Sequence, residues 1–468
     1  MVIMAETDLN DDLTRAFAED LTQLGGDDLS ATDREQISRL ILDHLGVCLR
    51  GSDLPWGRSL VEWGARMRGS GPSVVFGAGY KTVPAVAALI NATAAHGMEL
   101  DDTHDSSVTH PGAVVIATAL AVGTSEERSA GDIMAAIAAG YETMGRIGRA
   151  TGAADIIEHG FHPTALFGGF GAATTAAKLM GMDAERLTRA WGLMLSMAGG
   201  SMQFSQDPIG TTVKRLHGGY GAHNGTMAAE FSRLGIDGPS RAFDGVYGLC
   251  NIFGRNPNVS ELAKEPDAPL EIHNISLKPY PCCRLFHSTI DALRDVTAGF
   301  TVPAEQISAI RIGGPEIMVT QHMMRRPTSV MAAQYSLPFT MGASLAFEPS
   351  DYAAYEENNL NNAAILDVAD KVEAVSDADL DAAFPAHFGS WVELVAHDGS
   401  VRRADVLDSF GTPARPMPLS AIEEKVAGLI APLPEAPDVA QIAAGVVAFC
   451  DEEPGSLENL ASLFHQDV

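Results

Sequence analysis

Two His-Pro pairs, Thr109-His110-Pro111 and Phe161-His162-Pro163, each stand directly before a long run of small and apolar residues. Proline is favoured at the first helical position, where its missing N–H costs nothing. The residue before it is held extended. The pattern therefore predicts two imidazoles at two helix mouths, where free N–H groups and the positive dipole end favour an anion. Imidazole changes charge near neutral pH, so such an arrangement can also move protons.

Three further groups carry chemistry-bearing side chains. Glu99-Leu-Asp101-Asp102-Thr103-His104-Asp105 runs into His110 and holds four carboxylates and two histidines within twelve residues. It lacks the spaced oxygen ligands and turn glycine of a hard-metal loop. A simpler reading makes Asp101 and Asp102 caps for backbone amides. Thr211-Thr212-Val213-Lys214-Arg215-Leu216-His217-Gly218 places two cations and an imidazole at the start of a Gly/Ala-rich helix, or in a solvated basic turn. Lys278-Pro279-Tyr280-Pro281-Cys282-Cys283-Arg284, with His287 after it, is stiffened by its prolines. That rigidity suits holding Lys278 and Arg284 in place, as does a plain surface connection. Cys283 would act as a nucleophile only with a depressed pKa. Zinc is not expected, because no second Cys pair exists. Together these residues supply histidines for proton transfer and cations for carboxylate recognition, which suits proton abstraction beside a carboxylate.

The elements that position them are mostly helices. Residues 33–50 carry Ile37, Leu40, Ile41, Leu45 and Cys48 at helical spacing, with Thr32 and Glu35 placed as a capping box. Further helices are predicted over 84–96, 111–123, 131–149, 163–180, 184–198 and 218–234. Several are apolar nearly all round, the mark of helices buried among helices. The glycines of 168–177 follow helical sequence, so they read as packing residues and not as a nucleotide loop. From 256 to 270 the chain turns rich in Pro, Asn and charge, as a linker does. Strands are then expected at 306–314, at 371–375 and in a hairpin around Asp398-Gly399. A second linker spans 411–420, and helix resumes to 465. The fold class expected is mainly α: a large all-helical domain (1–268 with 411–468) interrupted by a smaller α/β lid domain (269–410).

Net charge is −29, from 31 basic and 60 acidic residues, which argues against nucleic acid and anionic membrane as partners. Only seven lysines are present, so a clustered lysine is informative. Five cysteines, an odd and small number, fit a reducing cytoplasm better than a disulfide framework. The acidic N-terminus MVIMAETDLNDD lacks the features of a secretory signal, and no run suits a membrane span. No Walker, Rossmann, HExxH or GxSxG motif appears, so no cofactor and no metal is expected.

The ordered set DDTH…THPG, GFHPT, TxxKxLHxG and KPYPCCRxxHxxIDA resembles the MmgE/PrpD family over about residues 10–460. That family includes 2-methylcitrate dehydratases, cis-aconitate decarboxylases and iminodisuccinate epimerases. The resemblance implies a helical domain with an α/β lid, a homodimer and catalysis without cofactor. It carries the family site to Asp101, Asp102, Thr103, His110, His162, Lys214 and Lys278. Cys283 stands where the decarboxylases have a histidine, and Phe339 stands where a tyrosine often follows Ser336-Leu337-Pro338. The Trp-Gly-His-Pro-Ser-Asp signature of one dehydratase branch is absent. The expectation is thus a cytoplasmic lyase of dehydratase type acting on a small di- or tricarboxylate. Its catalytic residues are His110, His162, Lys214 and Lys278. Asp101, Asp102, Thr103, His217, Cys283 and Arg284 bind substrate. Epimerisation of an iminodisuccinate-like dicarboxylate is the alternative, followed by decarboxylation of a cis-aconitate type, or carboxylate binding without catalysis.

Overall fold

The computed structural model describes residues 12–67, 71–207, 211–264, 268–298 and 304–464. The N-terminal segment read for a signal, and residues 265–267 of the first linker, lie outside them. The chain is mainly α-helical, with small sheets. Among the described residues, no helix is long and apolar enough to cross a membrane.

The helices Pro84–Ala95, Pro111–Ser125, Ala130–Thr151, Pro163–Leu179 and Val213–Arg233 pack on one another. Pro84–Ala95 and Pro111–Ser125 are buried on almost every face, as their Ala/Val/Ile composition requires. Close approach depends on small residues. A Cβ at Gly225 would lie 2.3 Å from the Gly169 carbonyl oxygen, so the two helices can touch backbone to backbone only with glycine there. The C-terminal helices Leu419–Ile430 and Val439–Cys450 return to pack on Ala31–Ser52. Ile422, Val426 and Ile442 thereby share a core with Ile37, Leu40 and Ile41.

A second core forms between residues 280 and 406. Its sheet has the order Val372–Ser376, Ile307–Gly314, Ser390–Ala396, Val401–Val406. The first pair is parallel and the others antiparallel. Ile310 and Ile312 point into this core while Arg311 between them is exposed, the alternation read in the sequence. The helix His287–Thr297 covers one face of the sheet. Two pairings hold the first-core chain that precedes and follows the second core. Thr103 and His104 pair antiparallel with Ser276 and Ile275, and Leu277 N–H donates to the Gly411 carbonyl.

Two local expectations are corrected. The capping box that opens the Ala31–Ser52 helix is Ser30 with Asp33, two residues before the Thr32/Glu35 reading. Ser30 is the better cap because its short hydroxyl reaches the Asp33 N–H while Asp33 accepts from the Ser30 N–H. The helix predicted from 218 begins at Val213, so Lys214, Arg215 and His217 lie in its first turns.

Candidate active site

His110 and His162 are the N-cap residues of Pro111–Ser125 and Pro163–Leu179, each with proline at the first helical position. Their rings stack 6.4 Å apart. The first mouth holds a carboxyl of the protein's own: Asp102 accepts the Gly112 N–H at 2.8 Å and the Tyr141 hydroxyl at 2.6 Å. Burial pushes the Asp102 carboxyl up to about 7, against these two donors. Asp102 therefore faces the helix start and positions His110 through its carbonyl, which accepts from His110 Nδ1 at 3.0 Å.

The segment from Glu99 to His110 is held in a strained path. Glu99 and Val108 have positive φ, at 58° and 51°, although neither is glycine. A β-branched residue there costs on the order of 1–3 kcal/mol, which persists only where surroundings enforce it. The outcome at Glu99 is a buried carboxylate between two buried ammonium groups. Lys214 donates to Glu99 Oε1, and Lys278 lies 3.5 Å from Oε2 and 3.3 Å from the Glu99 carbonyl. The Tyr335 hydroxyl donates to Oε2 at 3.1 Å. Burial opposes ionisation of Glu99, but Lys214 and Lys278 outweigh it and hold the carboxyl well below its ordinary range. Burial likewise opposes charge on Lys278, and Glu99 with Asp101 overrides it and raises the ammonium.

Four imidazoles sit beside this charged centre. The His96 ring is 5.0 Å from His110 and 5.8 Å from His162, and His162 is 5.1 Å from His217. Burial is the first cause that keeps all four below the ordinary imidazole pKa, His110 and His217 down to about 3. Their hydrogen bonds assign the tautomers. His96 Nδ1–H donates to Asp101 at 2.6 Å, which leaves a buried, unpartnered Nε2. His110 Nδ1–H donates to the Asp102 carbonyl, so its Nε2 lone pair is free to take a proton. His162 and His217 meet Nδ1 to Nδ1 at 3.1 Å and must share one hydrogen. Phe204 packs edge-on against both rings. Asp101, 3.4 Å from His110 Nδ1, stands ready to stabilise an imidazolium there. Burial opposes its charge, yet His110 and His96 hold it well below the usual carboxylate range.

The structure thus gathers Asp101, His110, His162, Lys214, His217 and Lys278 in one place. It engages three other candidates elsewhere. The Thr103 hydroxyl donates to Asp105, and Arg284 donates to Asp105 and Ser409 while lying over the Phe388 ring. Asp102 is the helix cap described above. Thr103 and Arg284 meet at Asp105, which also accepts from Ser276, and Arg284 reaches the second core at Phe388. Cys283 adjoins Lys278, but burial pushes its thiol up to about 11, so it is no thiolate near neutral pH. Phe339 is buried in the second core, packed against Tyr355. His96, Glu99 and Tyr335 were missed as site residues. The Glu99 carboxylate stood in a motif already singled out. Tyr335 gave no signal, since its partner is 236 residues away.

A groove lined by Ala165, Gly200, Tyr220 and Asn224 reaches His217. Gln334 ties the chain beside Glu99 to the Lys278 segment, donating to the carbonyls of Met98 and Pro281 at 2.8 and 2.9 Å. Among the described residues, His96, Asp101 and His110 bring potential metal ligands within 4.8 Å of one another. The direct 2.6 Å bond between His96 and Asp101 already satisfies one donor and one acceptor of that set.

Comparison with known proteins matches this architecture along most of its length. The cis-aconitate decarboxylase of Aspergillus terreus is 25% identical over 445 residues, covering 90% of each chain. The human cis-aconitate decarboxylase is 25% identical over 372 residues, covering 77% of this chain and 76% of that one. The mouse cis-aconitate decarboxylase is 24% identical over 374 residues, 77% of this chain and 75% of that one. The MmgE/PrpD N-terminal domain matches residues 15–262 and the MmgE/PrpD C-terminal domain residues 280–447. The chain therefore belongs to the MmgE/PrpD family.

Proposed function

We propose that the protein is a cofactor-independent lyase that removes a proton α to a carboxylate of a small di- or tricarboxylate and expels a β-hydroxyl as water. The observation that carries this reading is the convergence of two buried ammonium groups, Lys214 and Lys278, with imidazoles that burial keeps neutral. Ammonium groups in a dry site stabilise the enediolate charge that appears when the α-proton leaves. His110 Nε2 accepts that proton, and the imidazolium formed lies beside Asp101. The His162–His217 pair delivers a proton to the departing hydroxyl. One C–H and one C–O bond break, a C=C bond forms, and the hydroxide leaves as water. The second core, from whose side Tyr335 arrives, acts as the lid that keeps water out.

Decarboxylation is the second reading, favoured by the names of the relatives. The same lysines would stabilise the carbanion left by CO2, and an imidazole would protonate it. Cys283, in place of the histidine that resemblance assigns to the decarboxylases, favours elimination. The test is to incubate purified enzyme with methylcitrate, citrate, cis-aconitate and iminodisuccinate in D2O and follow the products by proton NMR. An alkene supports elimination, CO2 release supports decarboxylation, and an inverted, α-deuterated product supports epimerisation. No reaction with any of them contradicts the lyase reading.

A further inference from the structure

Among the described residues, the other buried cations have acidic partners. Arg146 pairs with Asp20 and Glu142, Arg284 with Asp105, Lys425 with Asp43, and Lys214 and Lys278 share Glu99. Arg215 does not. It is 3% exposed, its Nε has no hydrogen-bond partner, and no carboxylate pairs with it among the described residues. Its guanidinium lies 3.5 Å over the Trp56 ring. The Trp56 Nε1–H is a second buried donor without a partner. A buried guanidinium left unpaired is strongly unfavourable, so a counter-charge is expected to arrive from outside the chain.

The position fits that role. Arg215 follows Lys214 in the first turn of Val213–Arg233 and lies within electrostatic reach of Glu99, Tyr335 and Tyr352. Trp56 rests on the strand of chain that leads to Glu99. A Cβ at Gly97 would lie 2.3 Å from Trp56 Nε1, so the indole seats there only because residue 97 is glycine. Stacking fixes the guanidinium plane and leaves its edge for a bidentate acceptor.

Building on the lyase reading above, we propose that Arg215, stacked on Trp56, is a second carboxylate-binding subsite. It takes a substrate carboxylate distinct from the one held by Lys214 and Lys278. A substrate held this way spans both subsites with two separate carboxylates, and the Trp56 N–H is an additional donor to the second of them.

The test is calorimetric binding of tricarballylate, an unreactive tricarboxylate, to the full chain and to Arg215→Gln, Arg215→Lys and Trp56→Phe. Loss of a bidentate charged contact raises Kd on the order of 100-fold in Arg215→Gln. Arg215→Lys keeps the charge but not the fork and loses about tenfold. Trp56→Phe keeps the stack but loses the N–H, for a loss of about fivefold. Thermal melts identify any variant that fails to fold, in which case Arg215→Lys carries the test. Wild-type protein that binds no tricarballylate overturns the subsite, as does Arg215→Gln binding within about twofold of wild type. The chemistry is read separately by α-proton exchange in D2O. Exchange with unaltered binding in Arg215→Gln sinks the subsite alone, and Arg215-dependent binding without exchange sinks the lyase reading alone.

Discussion

Replacing Glu99 by Gln separates a substrate-binding role for the two lysines from a purely structural one. The substitution keeps volume but removes the only negative charge that Lys214 and Lys278 share among the described residues, and it puts an amide donor where one carboxylate oxygen accepted. At the 3.5 Å separation of Lys278 and Glu99, an effective dielectric near 20 gives about 5 kcal/mol of attraction for that pair alone. Breaking one partner out of a buried pair costs about 3–5 kcal/mol in practice. In a cooperative unit of about 250 residues this lowers Tm by about 6–10 °C. If the lysines exist to hold carboxylates, a polycarboxylate should replace the missing charge. A ligand present at about 100 times its Kd stabilises by about 2.7 kcal/mol, and its Kd should be lower in the variant than in wild type. Differential scanning fluorimetry with and without tricarballylate measures both effects. Glu99→Gln should melt earlier than wild type without ligand and gain more from it. A variant that melts like wild type, or that gains less from the ligand, refutes the reasoning.

His110→Asn retains a side-chain N–H for the Asp102 carbonyl but has no lone pair at Nε2, so turnover should fall about 100- to 10,000-fold with the fold intact by circular dichroism. Stability should fall as pH drops from 6.5 to 5. His110 and His217, held near 3, stay neutral in the folded chain while the unfolded chain takes up their protons below the ordinary imidazole pKa. Asp102, near 7, works in the opposite direction, because only the folded chain keeps its proton across this range. His96 and His162, which burial also holds below the imidazole range, act with His110 and His217, so four groups stand against one and the net is a loss, visible as a lower guanidinium midpoint at pH 5. A flat or rising midpoint contradicts the assignment of neutral imidazoles. Exhaustive chelation should leave turnover unchanged, since His96 and Asp101 bond to each other. A loss restored by a divalent metal would make His96, Asp101 and His110 its ligands.

Much of the helical framework was legible because local rules determine it. Proline at the first helical turn placed both His-Pro histidines as N-caps, and the Asp398-Gly399 turn placed the hairpin. The site was legible only where a motif kept its residues close in sequence. His96 ends an alanine-rich helix with nothing nearby to mark it, and its meaning comes from Asp101 and His110 in three dimensions. Glu99 reaches the lysines through a left-handed backbone that sequence does not announce. Tyr335 arrives from the second core. Thr103 and Arg284 carried the right chemistry but spend it on Asp105, because the junction between the cores needs buried polar partners of its own. Arg215 and Trp56 lie far apart in the chain, and neither alone suggests a stacked guanidinium.

Exchange of the substrate α-proton is the step on which the whole proposal rests. The direct measurement follows solvent deuterium entering methylcitrate, citrate, cis-aconitate and iminodisuccinate, together with any alkene formed, for wild type and His110→Asn. The expected result is elimination with α-exchange on at least one of these by the wild type, and a loss of about 100-fold or more in His110→Asn. Wild-type protein that exchanges none of them, or a His110→Asn variant that exchanges at the wild-type rate, would contradict it.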